Sequence, residues 1–302
     1  GGHAGLPRPA GDARTGTDPV TRPACPFRIA GPALISFSGG RTSGYLLKRI
    51  LDAHGGRLPA DVIACFANTG KEMPQTLDFV RDCGAWWGVP VVWLEFDPGG
   101  GSMRRFRVVT HATASRRGEP FAALIGKKNY LPNPVTRFCT SELKIRPMRD
   151  YARSLGWEHW TNVLGLRHDE PRRVARSRQN RDRWDNATPL FDARVTKAEV
   201  GAFWAAQPFD LGLPSVGGST PAGNCDLCFL KAAGTLSGLI RQDPGRADWW
   251  IAAEEGVRAS RPLGARFRKD RPGYRAMRDA VLAQAELGFG EADALTECFC
   301  HD

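Results

Sequence analysis

The six residues 38–43, with the sequence SGGRTS, have the composition of an anion-binding loop. Two adjacent glycines let the backbone turn sharply and come close to a ligand, while the hydroxyl groups and Arg41 add donors and charge. An apolar run at 33–38 predicts a buried strand before the loop, and Thr42 opens a helical pattern after it. The N–H groups at the start of that helix would then point at an anion, although an ordinary Gly-Gly turn before a helix is the alternative.

Five of the eight cysteines have spacings suited to metal binding or to thiol chemistry. Cys225 and Cys228 form a Cys-x-x-Cys pair, which places two thiolates within reach of one metal. Cys139 adds a third thiol from a distant segment, and Cys298 and Cys300 form a Cys-x-Cys pair near residue 302. The other three, predicted to be buried or incidental, are Cys25, Cys65 and Cys83.

Strands and helices alternate in the part of the chain that carries the loop. Apolar runs at 33–38, 61–67, 89–96 and 160–164 predict buried strands, and helical patterns follow the first two. This alternation is typical of parallel βαβ units. We therefore expect an α/β fold with a doubly wound, mostly parallel sheet. Residues 98–134, rich in Gly and Arg, predict irregular structure with one short helix.

The expected organisation has three parts. Residues 1–28 form a flexible tail with no secretory signal, 29–192 a nucleotide-binding domain, and 193–302 a helical, loop-rich extension that carries the Cys-x-x-Cys and Cys-x-Cys pairs. No apolar stretch approaches the roughly 20 residues that cross a bilayer. We expect a cytoplasmic protein with no membrane partner. The helices expected in the extension lie at 197–206, 230–241, 249–257 and 274–287.

The formal net charge of +10 is concentrated in two basic stretches, at 172–183 and 258–278. A surface of this kind can track the phosphates of a nucleic acid, so DNA or tRNA is an expected partner. A solvated basic face that serves only a nucleotide and a small anionic substrate is the alternative.

Four segments, in order along the chain, resemble the pyrophosphate-loop (PP-loop) family of phosphoadenosine-phosphosulfate (PAPS) reductases and their relatives, within the adenine-nucleotide alpha-hydrolases. They are the loop at 38–43, FANTGKEMPQT at 66–76, GLRHDEPRR at 165–173 and PLFD at 189–192. Arg41 and Thr42 replace the Lys and Asp that are commoner in this loop. The nucleotide-binding residues that the resemblance implies are Ser36, Ser38, Gly39, Gly40, Arg41, Thr42, Ser43, Asn68, Thr69, Gly165 and Arg167.

The cysteines resemble those of the iron–sulfur members of this family, in which a Cys-Cys pair precedes a Cys-x-x-Cys. Phe138 occupies one place of that pair, so the resemblance implies a [4Fe–4S] cluster on Cys139, Cys225 and Cys228 with one iron open; zinc is the alternative metal. Cys298 resembles the nucleophilic thiol of the reductases, and two interpretations stay open for the tail. Either Cys298 is a mobile nucleophile, or Cys298 or Cys300 is the fourth ligand.

The resemblance implies an enzyme that cleaves ATP, with Mg²⁺, to AMP and pyrophosphate. It would adenylate an acceptor for sulfur transfer, as in DNA phosphorothioation or tRNA thiolation, with a cysteine desulfurase as sulfur donor. Arg41, Arg167 and Cys298 are the expected catalytic residues. One alternative is a reductase that releases sulfite from APS or PAPS with Cys298 as nucleophile, and another is a non-catalytic subunit that binds nucleotide and cluster. The intact Ser-Gly-Gly loop favours ATP cleavage.

Overall fold

The computed structural model describes residues 25–101, 104–179, 182–261 and 265–286. Within these ranges six strands form one sheet in the order β4-β3-β2-β1-β5-β6. All neighbouring strands are parallel except β3 and β4, which confirms the predicted α/β fold with a mostly parallel sheet. The strands are β1 (Ala33–Ser36), β2 (Val62–Asn68), β3 (Val91–Phe96), β4 (Phe106–Val109), β5 (Trp160–Val163) and β6 (Trp184–Ala187).

Helices follow the strands and then make up the C-terminal part. A π-helical turn (Ser141–Ile145) joins α4 to α5, and a 3-10 turn (Pro244–Arg246) precedes α10. None of the helices in the described ranges is both long and apolar enough to cross a membrane. The helices are α1 (Arg41–Ala53), α2 (Pro74–Trp86), α3 (Glu119–Lys128), α4 (Phe138–Thr140), α5 (Arg146–Ser154), α6 (Pro171–Ser177), α7 (Pro189–Asp192), α8 (Lys197–Ala205), α9 (Ala233–Gln242), α10 (Ala247–Ser260) and α11 (Tyr274–Glu286).

Both faces of the sheet are covered, as a doubly wound fold requires. Successive side chains of a strand point to opposite faces. On β1, Ile35 packs in the cluster that includes Leu46 of α1, whereas Leu34 packs with Ala152 of α5. All four side chains are buried. The opposite placement of α1 and α5 therefore follows from the alternation of apolar residues in one short strand.

The order of the strands reverses next to β1. From β1 the chain continues through β2 to β3 on one side, whereas β5 and β6 lie on the other side. The carboxyl ends of β1 and β5 are therefore neighbours at the switch point, where open α/β sheets bind their ligands. The loops that follow these two strands carry the predicted loop at 38–43 and the segment that begins at Gly165.

Two strands were not expected from the sequence. β4 lies within residues 98–134, which we predicted to be irregular apart from one short helix, and β6 has the polar sequence WDNA. Each strand has only four residues and pairs at an edge of the sheet, β4 with β3 and β6 with β5. Pairing with a neighbour, rather than an apolar pattern of its own, specifies such a strand.

The helical C-terminal region is present as predicted and packs through large aromatic side chains. Trp250 of α10 lies 5.0 Å from Phe267 and 5.2 Å from Tyr274 of α11 between ring centroids, and all three are buried. These rings belong to the same hydrophobic cluster as Ile35 of the sheet. The domain boundary at residue 193 stays a prediction.

Candidate functional site

The loop at 38–43, called the phosphate loop below, turns sharply between β1 and α1. Gly39 has a φ of +77°, a conformation that residues with a side chain rarely adopt. A Cβ atom at Gly39 would also lie 2.6 Å from Thr76 Cγ2 and 3.2 Å from the ring of Phe66. Both the turn and the close approach to α2 therefore require glycine at this position.

The hydroxyl groups of the phosphate loop hold its backbone. Ser38 donates from Oγ to Ser43 Oγ at 3.1 Å, and Ser43 donates to the carbonyl of Gly40 at 2.9 Å. The Gly40 N–H in turn donates to Ser43 Oγ at 3.2 Å. Ser43 is buried, so its hydroxyl fixes the start of α1. These three hydrogen bonds hold the loop in its observed shape.

Arg167 brings a positive charge to the N-terminus of α1. Its Nη1 donates to Thr42 Oγ1 at 2.9 Å, and its Nε donates to Asp169 Oδ1 at 2.9 Å. Glu170 Oε2 accepts from the backbone N–H of Arg167 at 3.0 Å. A Cβ atom at Gly165 would lie 3.5 Å from Ser43 Cα, so the segment after β5 runs close to the phosphate loop. A guanidinium and a helix N-terminus at one point form an electrostatic site for an anion.

The side chain of Arg41 lies against a different part of the chain. Its Nε donates to Asp210 Oδ1 at 2.7 Å, its Nη2 donates to Asp210 Oδ2 and to the Leu213 carbonyl, and its Nη1 donates to Thr220 Oγ1 at 3.0 Å. Partial burial would raise the pKa of Asp210, but the hydrogen bond and charge of Arg41, together with the backbone N–H groups of Leu211 and Gly212, outweigh it and lower that pKa. A phosphate-binding role for Arg41 stays a prediction, and it requires these contacts to be exchanged.

Three other residues predicted to bind nucleotide make internal contacts. Ser36 Oγ lies 3.9 Å from Met148 Sδ. Asn68 is fully buried and donates from Nδ2 to Glu95 Oε1 at 2.7 Å and to the Ser115 carbonyl at 2.8 Å. Thr69 donates from Oγ1 to Glu72 Oε2 at 2.8 Å. The contacts of Asn68 and Thr69 shape the loop after β2, and a nucleotide contact by any of the three residues stays a prediction.

Cysteines from distant segments meet beside the loop that follows β2. Cys225 forms an isolated β-bridge with Glu72, and its Sγ lies 3.4 Å from Thr69 Oγ1. Burial, and then the charge of Cys228, raise the pKa of Cys139 to about 11. Burial also raises the pKa of Cys225 well above its usual value. Cys139, Cys225 and Cys228 thus share one electrostatic environment, called the thiol cluster below.

Lys144 and Glu72 accompany the thiol cluster. Lys144 Nζ lies 3.7 Å from Glu72 Oε1, an atom that has no hydrogen-bond partner among the described residues although the Glu72 side chain is almost fully buried. Burial would lower the pKa of Lys144, but the negative charges of Glu72 and of the thiol cluster outweigh it and raise that pKa. A cation, Lys144, therefore lies beside the thiol cluster.

The thiol cluster does not form a three-ligand metal site within the described residues. In the described part of the chain, no three side chains of His, Cys, Asp or Glu lie close enough to hold one metal ion. Electrostatic coupling acts over longer distances than coordination, so the coupling of the thiols is compatible with this result. Cys298 and Cys300 lie outside the described residues. The [4Fe–4S] cluster and zinc therefore stay predictions, supported here by the chemistry of three thiol donors alone.

Sequence reasoning missed the residues that anchor the thiol cluster. Lys71 Nζ pairs with Asp226 Oδ2 at 2.9 Å, and both side chains are nearly buried. Asp226 Oδ1 also accepts from Trp250 Nε1 at 2.9 Å, while Tyr274 Oη donates to the Leu227 carbonyl at 2.6 Å. Lys71 stands within the segment 66–76 that carries the family resemblance, but nothing in its spacing indicated a partner 155 positions away.

The chain has a close relative among curated proteins, although no family model matches it. It is 32% identical over 218 residues to the nin region protein ORF290 of Escherichia phage lambda, an uncharacterized protein, and the match covers 70% of each chain. The chain belongs to the ORF290 family. Among solved structures, the chain described here is similar to the PAPS reductase of Candida auris in complex with phosphate. That match has 18% identity and a TM-score of 0.39, and covers 64% of this chain and 87% of the reductase. Such a likeness is too loose to establish the activity.

Proposed function

We propose that the chain cleaves ATP to AMP and pyrophosphate and thereby activates an acceptor for sulfur transfer. The observation that carries the proposal is the contact of Arg167 with Thr42 at the N-terminus of α1, at the switch point of the sheet. The backbone N–H groups of the phosphate loop and the guanidinium of Arg167 both favour negative charge at this point. The intact Ser-Gly-Gly loop favours ATP, because APS and PAPS have no β–γ pyrophosphate.

The chemistry that this arrangement supports has two stages. In the first, an acceptor oxygen attacks the α-phosphorus of ATP, and pyrophosphate leaves with the electron pair of the broken P–O bond. Arg167 and the N-terminus of α1 stabilise the charge on the departing group. In the second, the terminal sulfur of a cysteine persulfide attacks the activated carbon or phosphorus and AMP leaves. A second thiol then attacks the mixed disulfide, and an external dithiol reduces the cysteine pair that results.

The thiol cluster is the proposed place for the sulfur. It lies beside the loop after β2, at the same edge of the sheet as the phosphate loop. The positive charge of Lys144 lowers the pKa of Cys139 and of Cys225, and so offsets part of the increase that burial causes. A [4Fe–4S] cluster on Cys139, Cys225 and Cys228 stays the prediction made from the sequence, and the persulfide route needs no such cluster. Mg²⁺ would bind the ATP phosphates, with Asp169 as a carboxylate at this edge.

A nucleic acid is the proposed acceptor, and a cysteine desulfurase the proposed sulfur donor. The support for the nucleic acid is the net charge of +10 together with exposed arginines next to the site, such as Arg172 on α6. Acceptor use would be seen as AMP formation that increases when tRNA or DNA is added.

The test uses protein purified without oxygen and assayed for AMP, pyrophosphate and sulfite. ATP with Mg²⁺ should give AMP and pyrophosphate, and APS or PAPS with a thiol reductant should give no sulfite. The variant Arg167→Ala, purified in parallel, identifies contaminating ATPases, because only the activity of the chain itself should fall. Sulfite without ATP cleavage would contradict the proposal and indicate a reductase. Nucleotide binding without any turnover would indicate a non-catalytic subunit.

A further inference from the structure

The guanidinium of Arg41 is fully engaged with a segment far along the chain. Four hydrogen bonds join it to Asp210, to the Leu213 carbonyl and to Thr220. A guanidinium has five N–H donors, so four bonds use nearly all of them. The backbone is held as well, because Trp204 Nε1 donates to the Arg41 carbonyl at 2.8 Å. Arg41 is therefore the first residue of α1, while its side chain is hydrogen-bonded to residues between 210 and 220.

The acceptors of these bonds lie at both ends of an exposed loop. Residues 214–218 are exposed, whereas Leu211 and Leu213 before them and Ala222 after them are buried. Asp210 and Leu213 approach Arg41 from one end of this loop, and Thr220 approaches from the other end. One side chain thus closes the base of a loop that has little apolar burial of its own.

The closed loop leads directly into the Cys-x-x-Cys pair. We call residues 210–228 the cysteine segment. Its far end is held by the Lys71–Asp226 ion pair and by the hydrogen bond from the Asp226 N–H to the Lys71 carbonyl at 2.7 Å. Its near end is held by Arg41. The cysteine segment is therefore fixed at two points, one after β2 and one on the first residue of α1.

We propose that Arg41 is a positioning residue that seats the cysteine segment against the phosphate loop, and that it is not a phosphate ligand. Arg167, which contacts Thr42, is then the arginine that meets the phosphate. The inference rests on the proposed function for the nucleotide at the loop, but the seating of the cysteine segment is independent of it. Arg41 thus links the phosphate loop, where nucleotide is proposed to bind, to the segment that positions Cys225 and Cys228.

The two roles of Arg41 make opposite demands on a lysine substitute. A lysine binds phosphate as a point charge, so Arg41→Lys should preserve much of a phosphate contact. A single ammonium group cannot reach two carboxylate oxygens, a carbonyl and a hydroxyl in the arrangement that the planar guanidinium matches. We therefore expect both Arg41→Lys and Arg41→Ala to loosen the cysteine segment. Asp210→Asn should loosen it as well, although it leaves Arg41 in place.

The experiment measures alkylation of each cysteine by N-ethylmaleimide in the reduced, metal-free full-length chain, with mass spectrometry to resolve the sites. We expect Cys225 and Cys228 to react at least fivefold faster in Arg41→Lys and Asp210→Asn than in the unaltered chain. Cys65 and Cys83, which are fully buried, should stay unreactive and so report that the fold is intact. Amide hydrogen exchange of residues 210–228 should increase in the same two variants. Glu255→Gln is the matched control, since it breaks an exposed pair with Arg275 on the outer side of α10 and α11 and should change neither readout.

Binding of α,β-methylene-ATP, which cannot be cleaved at the α–β bond, separates this proposal from the proposed function. We expect Arg41→Lys, Arg41→Ala and Asp210→Asn to have dissociation constants within threefold of one another. A loss above tenfold in Arg41→Ala relative to Asp210→Asn, with unchanged cysteine reactivity, would overturn the seating role and make Arg41 a phosphate ligand. No binding by the unaltered chain would contradict the proposed function, whereas the cysteine reactivities would still decide the role of Arg41.

Discussion

The phosphate loop takes its shape from six consecutive residues, whereas the thiol cluster combines Cys139, on the same helix as Lys144, with Cys225 and Cys228 from a distant segment. In the loop, Gly39 and Ser43 set the backbone through local geometry and hydroxyl contacts. In the cluster, Cys225 bridges to Glu72 directly beside the ion pair between Lys71 and Asp226. The difference teaches that a local site depends on the conformation its residues can adopt. An assembled site depends on the long-range contacts that bring its members together.

Asp226→Asn should disturb the thiol cluster more than any other change considered, because it removes the carboxylate that pairs with Lys71. Asp226→Asn leaves the nearly buried Lys71 without its counter-charge, and loss of one partner of a buried pair costs about 3–5 kcal/mol. Chemical denaturation should show a fall of this size in the free energy of unfolding, with faster alkylation of Cys225. Glu255→Gln is the matched control, because it breaks an exposed pair with Arg275 that should contribute less than about 1 kcal/mol. Equal losses in the two variants would mean that the anchor contributes no more than a surface pair.

The corresponding break of the local site is Gly39→Ala. The positive φ at this position costs a residue with a side chain about 1–2 kcal/mol, and crowding against Thr76 adds about 1–3 kcal/mol. We expect the free energy of unfolding to fall by about 2–5 kcal/mol, and nucleotide binding to be lost. Gly55→Ala serves as control, since Gly55 has a φ of +70° but no atom within 4 Å of a Cβ there. If the free energy of unfolding falls equally in both variants, the close approach of the loop to α2 does not contribute to the cost of Gly39→Ala.

The amount that sequence could predict follows the same division. The strand before the loop, Gly39 and Gly40, and the helix from Thr42 onward were predictable because each is marked by residues adjacent to it; the observed helix starts one residue earlier, at Arg41. The spacing of Cys225 and Cys228 was visible, and so was Cys139. Their meeting with Lys144 and Glu72, and the side-chain direction of Arg41, were not visible. Those contacts join residues far apart in the sequence, and their spacing matches no motif that would indicate a contact.

The smallest expected effect concerns the charge at the phosphate loop. Arg167→Ala removes a charged donor at the N-terminus of α1 and leaves the fold of the loop, which Ser43 and Gly39 hold, in place. A hydrogen bond to a charged group contributes about 1.5–3 kcal/mol, so affinity for α,β-methylene-ATP should fall about ten- to hundredfold by calorimetry. Arg153→Ala, which removes an exposed arginine at the end of α5, should leave the affinity within twofold. An equal fall in both variants would mean that only the overall charge of the chain attracts the nucleotide.

The π-helical turn at Ser141–Ile145 is a one-residue shift of phase within an otherwise continuous helix from Phe138 to Ser154. Each residue of an α-helix turns the chain by about 100°, so deleting one residue there would rotate Cys139 by that angle relative to α5. The thiol would then leave the side of the helix that carries Lys144. The count of residues in this turn, more than their identity, decides whether thiol and ammonium group face the same way.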